Sequence, residues 1–175
     1  MENISNKQQL VEYVNHGNKV KFIFFWGHTQ KEKNITNTCF SQWYEASFED
    51  NTCKYLTAEH YMMAQKALLF DDLACYDKII KAPNPGAAKA HGRQVQNFIE
   101  LTWLENRWDI VVKVNVLKFS QNPKLKEYLL NTGNRVLVEA SPVDKIWGVG
   151  LAKDDAKIEN PNLWRGLNLL GFALM

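Results

Sequence analysis

The stretch of sequence that decides the fold is Tyr55-Leu56-Thr57-Ala58-Glu59-His60-Tyr61-Met62-Met63-Ala64-Gln65-Lys66-Ala67. It predicts a helix over 58–69, because Thr57 is a favourable N-cap and strong helix formers follow without Gly or Pro. Glu59 lies in the first turn, where the helix dipole favours an acidic side chain. At about 100° per residue, Glu59 and Lys66 return to within about 20° of each other, two turns apart. A carboxylate and an amine therefore flank one apolar stripe.

The two charged residues have two interpretations. Charged side chains on a helix usually face solvent and carry no catalytic role. The residues around Glu59 and Lys66 are mostly apolar, however, and leave little polar face on which to solvate the two charges. If the helix is central, its polar groups must face a cavity, and both residues become catalytic candidates.

Composition favours one folded enzyme-like domain. The chain has 175 residues, of which 46% are hydrophobic and 12% aromatic, enough for a core of ordinary size. Its 21 Lys and Arg against 19 Asp and Glu give a net charge of +2 without a run of like charges. A broad surface for duplex nucleic acid is therefore not predicted, whereas a small anionic ligand fits this balance.

Cysteine usage and the N-terminus bear on the compartment. Cys39, Cys53 and Cys75 are odd in number and show no CxxC or Cys/His metal spacing, so we interpret them as reduced thiols. The N-terminus lacks a signal peptide, and no stretch approaches the length of a membrane span. The sequence thus predicts a cytoplasmic protein that binds no membrane and needs no metal or cofactor. The oligomeric state stays open.

The pattern along the chain predicts an α+β fold, a compact and mainly helical single domain with a small β-sheet. Residues 1–18 are predicted as a leader with a helix over 6–15, and residues 19–175 as the catalytic domain. Before the central helix we predict strands over 19–25, 40–44 and 46–48, with a polar loop over 29–38. After it we predict helices over 71–81, 85–95, 98–119, 123–130 and 164–175, a strand over 136–139 and a loop over 140–150.

Polar and aromatic groups are expected to converge at the end of the first strand, at the loop 144–150 and at the start of the central helix. Strand ends commonly build sites. A tryptophan is more often a core residue, but Trp147 lies between an acidic residue and two glycines. Arg93 is either a surface charge or a phosphate ligand that acts with the free N–H groups of residues 84–87.

Several separate motifs, in one order, resemble the NADAR (YbiA-like) family over nearly the whole chain from Phe22 onward. They are Phe25-Trp26-Gly27, Phe40-Ser41-Gln42-Trp43-Tyr44, Ala58-Glu59-His60-Tyr61 with Ala64-Gln65-Lys66, Gly92-Arg93, Lys118-Phe119 with Gln121-Asn122, Leu137-Val138-Glu139-Ala140-Ser141-Pro142 with Asp144 and Trp147-Gly148-Val149-Gly150, and 164–175. The leader before Lys19 lies outside the resemblance.

The resemblance implies a small α+β enzyme that hydrolyses N-glycosidic bonds. Its substrate would be a phosphorylated ribosylamino intermediate of riboflavin biosynthesis or, alternatively, an ADP-ribose conjugate of guanine in nucleic acid. The family's essential glutamate maps onto Glu59 and its helix lysine onto Lys66, while Asp144 belongs to the loop that carries its Trp-Gly pair. The substrate-binding candidates are Trp26, Gly27, Tyr61, Arg93, Trp147 and Gly148.

Two mechanisms fit these residues. A ribose on an exocyclic amine can open to an imine, and a neutral Lys66 could exchange with the leaving amine to form a Schiff base, with Glu59 moving the protons. Alternatively, Glu59 acts as general base in a direct displacement through an oxocarbenium-like transition state. A third alternative is a non-catalytic module that holds ADP-ribose or NAD, although such a binder has no need of a carboxylate in its pocket.

Overall fold

The computed structural model describes residues 4–29 and 34–175. Their helices and strands, in chain order, are α1 (Lys7–Asn15), β1 (Phe22–Phe25), β2 (Phe48–Glu49), β3 (Lys54–Tyr55), α2 (Ala58–Leu69), α3 (Leu73–Ile80), α4 (Pro85–Gly92), α5 (Glu100–Gln121), α6 (Pro123–Leu130), β4 (Val136–Glu139) and α7 (Leu169–Ala173). Short 3-10 helices cover Asn37–Phe40 and Pro161–Leu163. The predicted mainly helical α+β fold is confirmed.

The sheet that positions the site pairs β1 with β4. The two strands are parallel, with Phe22 opposite Val136 and Phe25 opposite Glu139. Because parallel strands end at the same edge, the chain leaves β1 and β4 side by side. The β2 and β3 strands form a separate antiparallel pair of two residues each.

Helix α2 is the buried centre of the fold. Its N-cap is Thr57, whose side chain accepts from the backbone N–H of His60, as predicted. The helix is apolar on nearly all sides and packs against α3, α4 and α5. Residues 58–64 of the helix are all buried, so Glu59, at 2% exposure, lies inside the protein.

The leader helix α1 packs on the outer face of the β1–β4 sheet. Leu10 is fully buried in a second apolar cluster that includes Val136 and Val138 of β4 and Val149 of the following loop. Lys7 Nζ donates to the carbonyl oxygen of Trp164 at 2.6 Å, which fixes the start of the helix. The leader is thus packed into the same folded body as the sheet.

Two predicted elements are wrong. Residues 41–44 form no strand, because the carbonyl oxygens of Cys39 and Ser41 accept from Lys118 Nζ, at 2.7 and 2.8 Å, instead of from a neighbouring strand. The C-terminal helix covers only Leu169–Ala173 of the predicted 164–175. Residues 164–168 are not helical, because the N–H groups of residues 165 and 166 both donate to Val149 O in the loop after β4.

Further predictions concern one helix, one loop, the cysteines and membrane spans. The helix predicted over 85–95 ends at Gly92, and part of the predicted loop 29–38, residues 30–33, lies outside the described residues. Cys39, Cys53 and Cys75 are free thiols, as predicted. Among the helices described, none is long and apolar enough to cross a membrane.

Candidate active site

Glu59 contacts residues 41–44, a segment without regular secondary structure that packs against the start of α2. Its backbone N–H donates to Gln42 O at 3.0 Å, and the side chain of the next residue, Trp43, hydrogen-bonds to its carboxyl group. The other carboxyl oxygen, Oε1, is buried without a hydrogen-bond partner among the described residues. Burial raises the pKa of Glu59 to about 7, opposed chiefly by the positive charge of Lys89. The residue therefore carries a proton that can be exchanged near neutral pH.

Glu139, at the end of β4, is a half-buried residue with a second carboxyl group of raised pKa. Its pKa is raised to about 8, chiefly by burial and also by the negative charges of Asp144 and Glu59, whereas the charge of Lys89 lowers it. Its Oε2 atom is buried and has no hydrogen-bond partner in the described part of the chain. The charges of Asp144 and Lys89 thus act on both Glu59 and Glu139.

The loop after β4 is organised by Asp144. Its Oδ1 atom accepts from the N–H groups of Ile146 and Trp147, both at 2.8 Å. A side chain at Gly148 would place Cβ 2.8 Å from the carbonyl oxygen of Glu139, so only glycine fits here. Trp147 is half-buried against the main core, with the Arg107 guanidinium 6.0 Å from its ring. The loop therefore holds an aromatic ring three residues from Asp144, with the Arg107 cation of α5 beside the ring.

The contacts of Lys66 are with Gly92, Phe98 and Trp103, and its predicted catalytic role stays a prediction. Its Nζ donates to the carbonyl oxygen of Gly92 at 2.9 Å and lies 4.2 Å from the ring of Phe98 and 5.8 Å from that of Trp103. Burial lowers the pKa of Lys66. The amine whose charge acts on both Glu59 and Glu139 is Lys89.

The predicted substrate-binding residues Trp26, Gly27 and Tyr61 lie in three different environments. Trp26 is 59% exposed and lines a shallow surface cavity with residues of the 36–38 segment. Gly27 adopts φ +79°, which explains the glycine at this turn. Tyr61 is a core residue, at 1% exposure and packed on Tyr55, so a substrate contact by Tyr61 is not supported.

Arg93 contributes a positive charge to the surroundings of Glu59. It follows the last residue of α4, whereas Asn84 caps the first turn and accepts from the N–H of Ala87. The predicted phosphate site, which combined Arg93 with the N-terminal amides of this helix, is therefore wrong, because the two groups lie at opposite ends of α4.

Sequence reasoning missed Trp43, Lys89 and Glu139 as site residues. Trp43 lies in the predicted strand 40–44, and Lys89 lies in the predicted helix 85–95 without a local signal of function. Glu139 carried a usable signal, because it ends an apolar strand, Val136 to Val138, and precedes a loop with Pro and Gly. Among the residues described, no three His, Cys, Asp or Glu side chains are arranged to hold a metal ion.

Two carboxyl groups with raised pKa values, Glu59 in the buried first turn of α2 and Glu139 at the end of β4, are the groups of this structure suited to acid–base catalysis. Residues 24–175 match the NADAR domain. The chain is 44% identical over 160 residues to an N-glycosidase of Acanthamoeba polyphaga mimivirus, covering 89% of this chain and 93% of that protein. The protein therefore belongs to the NADAR domain family, and the predicted hydrolase of N-glycosidase type is confirmed.

Two further comparisons extend the likeness. The chain is 35% identical over 127 residues to the chloroplastic riboflavin biosynthesis protein PYRR of Zea mays, covering 68% of this chain and 18% of that longer protein. The solution structure of YbiA from E. coli has a TM-score of 0.69 and 25% identity, covering 90% of this chain and 83% of YbiA. The fold of this chain is thus that of YbiA.

Proposed function

We propose that the protein hydrolyses the C1′–N bond of a phosphorylated ribosylamino nucleotide, such as an intermediate of riboflavin biosynthesis, with Glu59 as the acid–base group. The observation that carries the proposal is the buried Glu59 carboxyl group, whose pKa of about 7 suits proton transfer near neutral pH. The name of the maize relative supports the substrate class.

Both routes require Glu59 to donate and to accept protons during one turnover. In the ring-opening route the nitrogen lone pair expels the ring oxygen, and the imine carbon is then attacked. Glu59 gives its proton to the expelled ring oxygen and takes one back from the water that adds to the imine carbon. It then gives a proton to the departing amine and takes the proton of the new hydroxyl as the sugar aldehyde forms, which returns the site to its starting state. In the direct route Glu59 takes the proton of the attacking water while the C1′–N bond breaks.

If an amine attacks the opened sugar, we assign that role to Lys89 in place of Lys66. Lys89 supports it because its charge acts on Glu59 and Glu139, which would exchange protons with the imine. The amine of Lys66 is occupied by Gly92 O and the faces of two aromatic rings. Lys66 nevertheless has a lowered pKa, the usual preparation of a nucleophilic lysine, so the two amines need a direct test.

The substrate test compares a ribosylamino-pyrimidine phosphate with ADP-ribosylated guanosine under the same conditions, following the released sugar. We expect turnover of the first, and loss of turnover in Glu59→Gln. Preferred turnover of the second would replace the substrate by an ADP-ribose conjugate. Binding of either compound without release would make the protein a non-catalytic module.

The amine test adds borohydride during turnover and maps the added mass by peptide analysis. We expect a reduced adduct on the peptide with Lys89, absent from Lys89→Arg, because a guanidinium keeps the charge but does not attack. Lys66→Arg is the matched control and should keep the adduct. An adduct on Lys66 would reverse the assignment, and turnover without any adduct would favour direct attack by water.

A further inference from the structure

Lys66, in α2, caps the last turn of a different helix, α4. Its Nζ donates to the carbonyl oxygen of Gly92 at 2.9 Å, and Gly92 is the last residue of α4. The last carbonyl groups of a helix have no partner inside it, and a positive charge at this end interacts favourably with the helix dipole. The amine also lies 4.2 Å from the centre of the Phe98 ring, a cation–π contact. Lys66 thus supplies a hydrogen bond that α4 cannot supply itself.

Packing fixes the same end of α4. A side chain at Gly92 would overlap Met63 of α2, so glycine is required for this close approach. The thiol of Cys75, in α3, donates to the carbonyl oxygen of His91 at 3.2 Å. The C-terminal end of α4 therefore cannot shift along α2 without breaking one of these contacts.

Helix α4 also carries a cation to the surroundings of Glu59. The Lys89 amine lies 5.7 Å from the centre of the Trp43 ring. The first turn of α4 meets the same ring, since a Cβ atom on Gly86 would lie 3.7 Å from an atom of Trp43. The Trp43 side chain hydrogen-bonds to the carboxyl group of Glu59. The position of α4 along α2 thus sets where Lys89 and Trp43 lie relative to the acid–base group.

The face of α2 that helical periodicity assigns to Glu59 and Lys66 is the face that α4 covers. Met63 lies four residues after Glu59 and three before Lys66, so the three side chains share one side of the helix. Met63 and Lys66 both contact Gly92, at the end of α4. Glu59 is bonded to Trp43, which packs on the start of α4. The carboxyl group and the amine are therefore connected through α4, which packs beside both.

We propose that Lys66 is a positioning residue of the reaction: it holds α4 at the place along α2 where Lys89 meets Trp43. This inference rests on the acid–base role of Glu59 proposed above. Lys66 acts through α4 and does not touch the substrate, which differs from the Schiff-base role considered for it. A small displacement of a positioned catalytic group lowers the rate strongly, so loss of the cap should lower kcat more than it raises KM.

The first test compares kcat and KM of Lys66→Met and Lys66→Arg with those of the wild type. Methionine keeps most of the side-chain length but donates no hydrogen bond, so kcat should fall about tenfold or more, with a smaller change in KM. Arginine keeps the charge and can donate to Gly92 O, so Lys66→Arg should stay within about threefold of the wild type. Equal loss of activity in the two variants would overturn the inference, because a guanidinium preserves a cap but not a nucleophile. Wild-type kinetics in Lys66→Met would overturn it as well.

Hydrogen exchange of the backbone amides tests the cap without substrate. In Lys66→Met the amides of residues 91–93, in the last turn of α4, should exchange about tenfold faster or more, whereas those of β4 should keep their rates. Lys126→Met, at an exposed lysine of α6, is the matched control and should leave the exchange of α4 unchanged. Wild-type exchange of α4 in Lys66→Met would contradict the proposed cap.

The titration of Glu59 separates positioning from a loss of stability alone. In protein labelled with ¹³C at the glutamate carboxyl carbon, the Glu59 signal is the one that Glu59→Gln removes. Burial raises the pKa of Glu59 and the charge of Lys89 opposes it, so displacement of α4 in Lys66→Met should raise that pKa further. Arg93, which follows α4, acts in the same sense as Lys89, whereas Asp144 belongs to the loop after β4. Lys66→Arg should restore the wild-type titration.

Two further results decide between the possible roles of Lys66. A destabilised Lys66→Met whose Glu59 titration matches the wild type would overturn the inference and limit Lys66 to stability. A protein without glycosidase activity would fail the proposed function, and hydrogen exchange together with the Glu59 titration would still decide whether Lys66 positions α4.

Discussion

The backbone N–H of Glu59 donates to the carbonyl oxygen of Gln42 at 3.0 Å, which joins the first turn of α2 to a segment without regular structure. The side chain of the next residue, Trp43, hydrogen-bonds to the carboxyl group of the same glutamate. Lys118 holds this segment from the other side, through the carbonyl oxygens of Cys39 and Ser41. The acid–base group therefore depends on a buried cation that lies in a different helix, α5.

Glu59→Gln should abolish turnover while the fold remains. The amide has the shape of the carboxyl group and can still accept from Trp43, but it cannot take or return a proton, which costs about 10²–10⁴-fold in rate. The measurement is sugar release by the variant beside Glu49→Gln, an exposed control. Activity within a few-fold of the wild type would remove Glu59 from the mechanism.

The same variant predicts a change in the pH dependence of stability. The folded-state pKa of Glu59, about 7, lies above the ordinary value of 4.5. Between these values the folded state binds more protons than the unfolded state, so this group lowers the free energy of unfolding as pH rises. Glu59→Gln lacks that loss and should gain stability relative to the wild type from pH 5 to pH 8, as denaturant titrations would measure.

Trp147→Ala should raise KM and lower kcat. The indole ring lies 6.0 Å from the Arg107 guanidinium, in the same loop as Asp144, so its removal should lose stacking area and admit water. The ring also packs on the main core, so the free energy of unfolding should fall by about 1–3 kcal/mol, less than for a fully buried aromatic residue. Trp147→Phe should recover most of the stability. Unchanged kinetics in a destabilised Trp147→Ala would limit this residue to packing.

Lys118→Met should destabilise the segment that carries Trp43. The variant leaves two buried carbonyl oxygens without a donor, which costs about 1–3 kcal/mol. Burial lowers the pKa of Lys118 to about 7 from 10.5, so the unfolded state binds more protons between these values and wild-type stability rises with pH there. The cost of Lys118→Met should therefore be larger at pH 9 than at pH 6. An equal cost at both values would contradict the lowered pKa.

Leu10→Ala should weaken the leader helix and, through it, the loop of the site. Leu10 is fully buried in the cluster that contains Val149, so its truncation should cost about 2–5 kcal/mol in unfolding free energy. Leu73→Ala, at a site 65% exposed, is the matched control and should cost little. We also expect a lower kcat, because Val149 belongs to the Trp147–Gly150 loop. Wild-type stability in Leu10→Ala would make the leader dispensable for folding.

Local sequence determined the elements that carry their own caps. The predicted bounds of α2, α6 and β4 agree with the structure, because Thr57 caps α2, Pro123 begins α6 and a β-branched run gives β4. Each of these signals lies within a few residues of the element it controls. For the same reason the sequence identified Glu59 as an acidic residue on an otherwise apolar helix.

Tertiary structure decided which residues meet Glu59. Lys66 shares the helix face of Glu59, yet its amine donates to Gly92 O, while the charge that acts most strongly on Glu59 is that of Lys89, from a different helix. The segment 41–44 has a strand-like composition, but Lys118, more than 70 residues later, takes the carbonyl oxygens that a strand would need. Helical periodicity fixes direction around one axis only, so contacts between elements depend on packing that no local pattern contains.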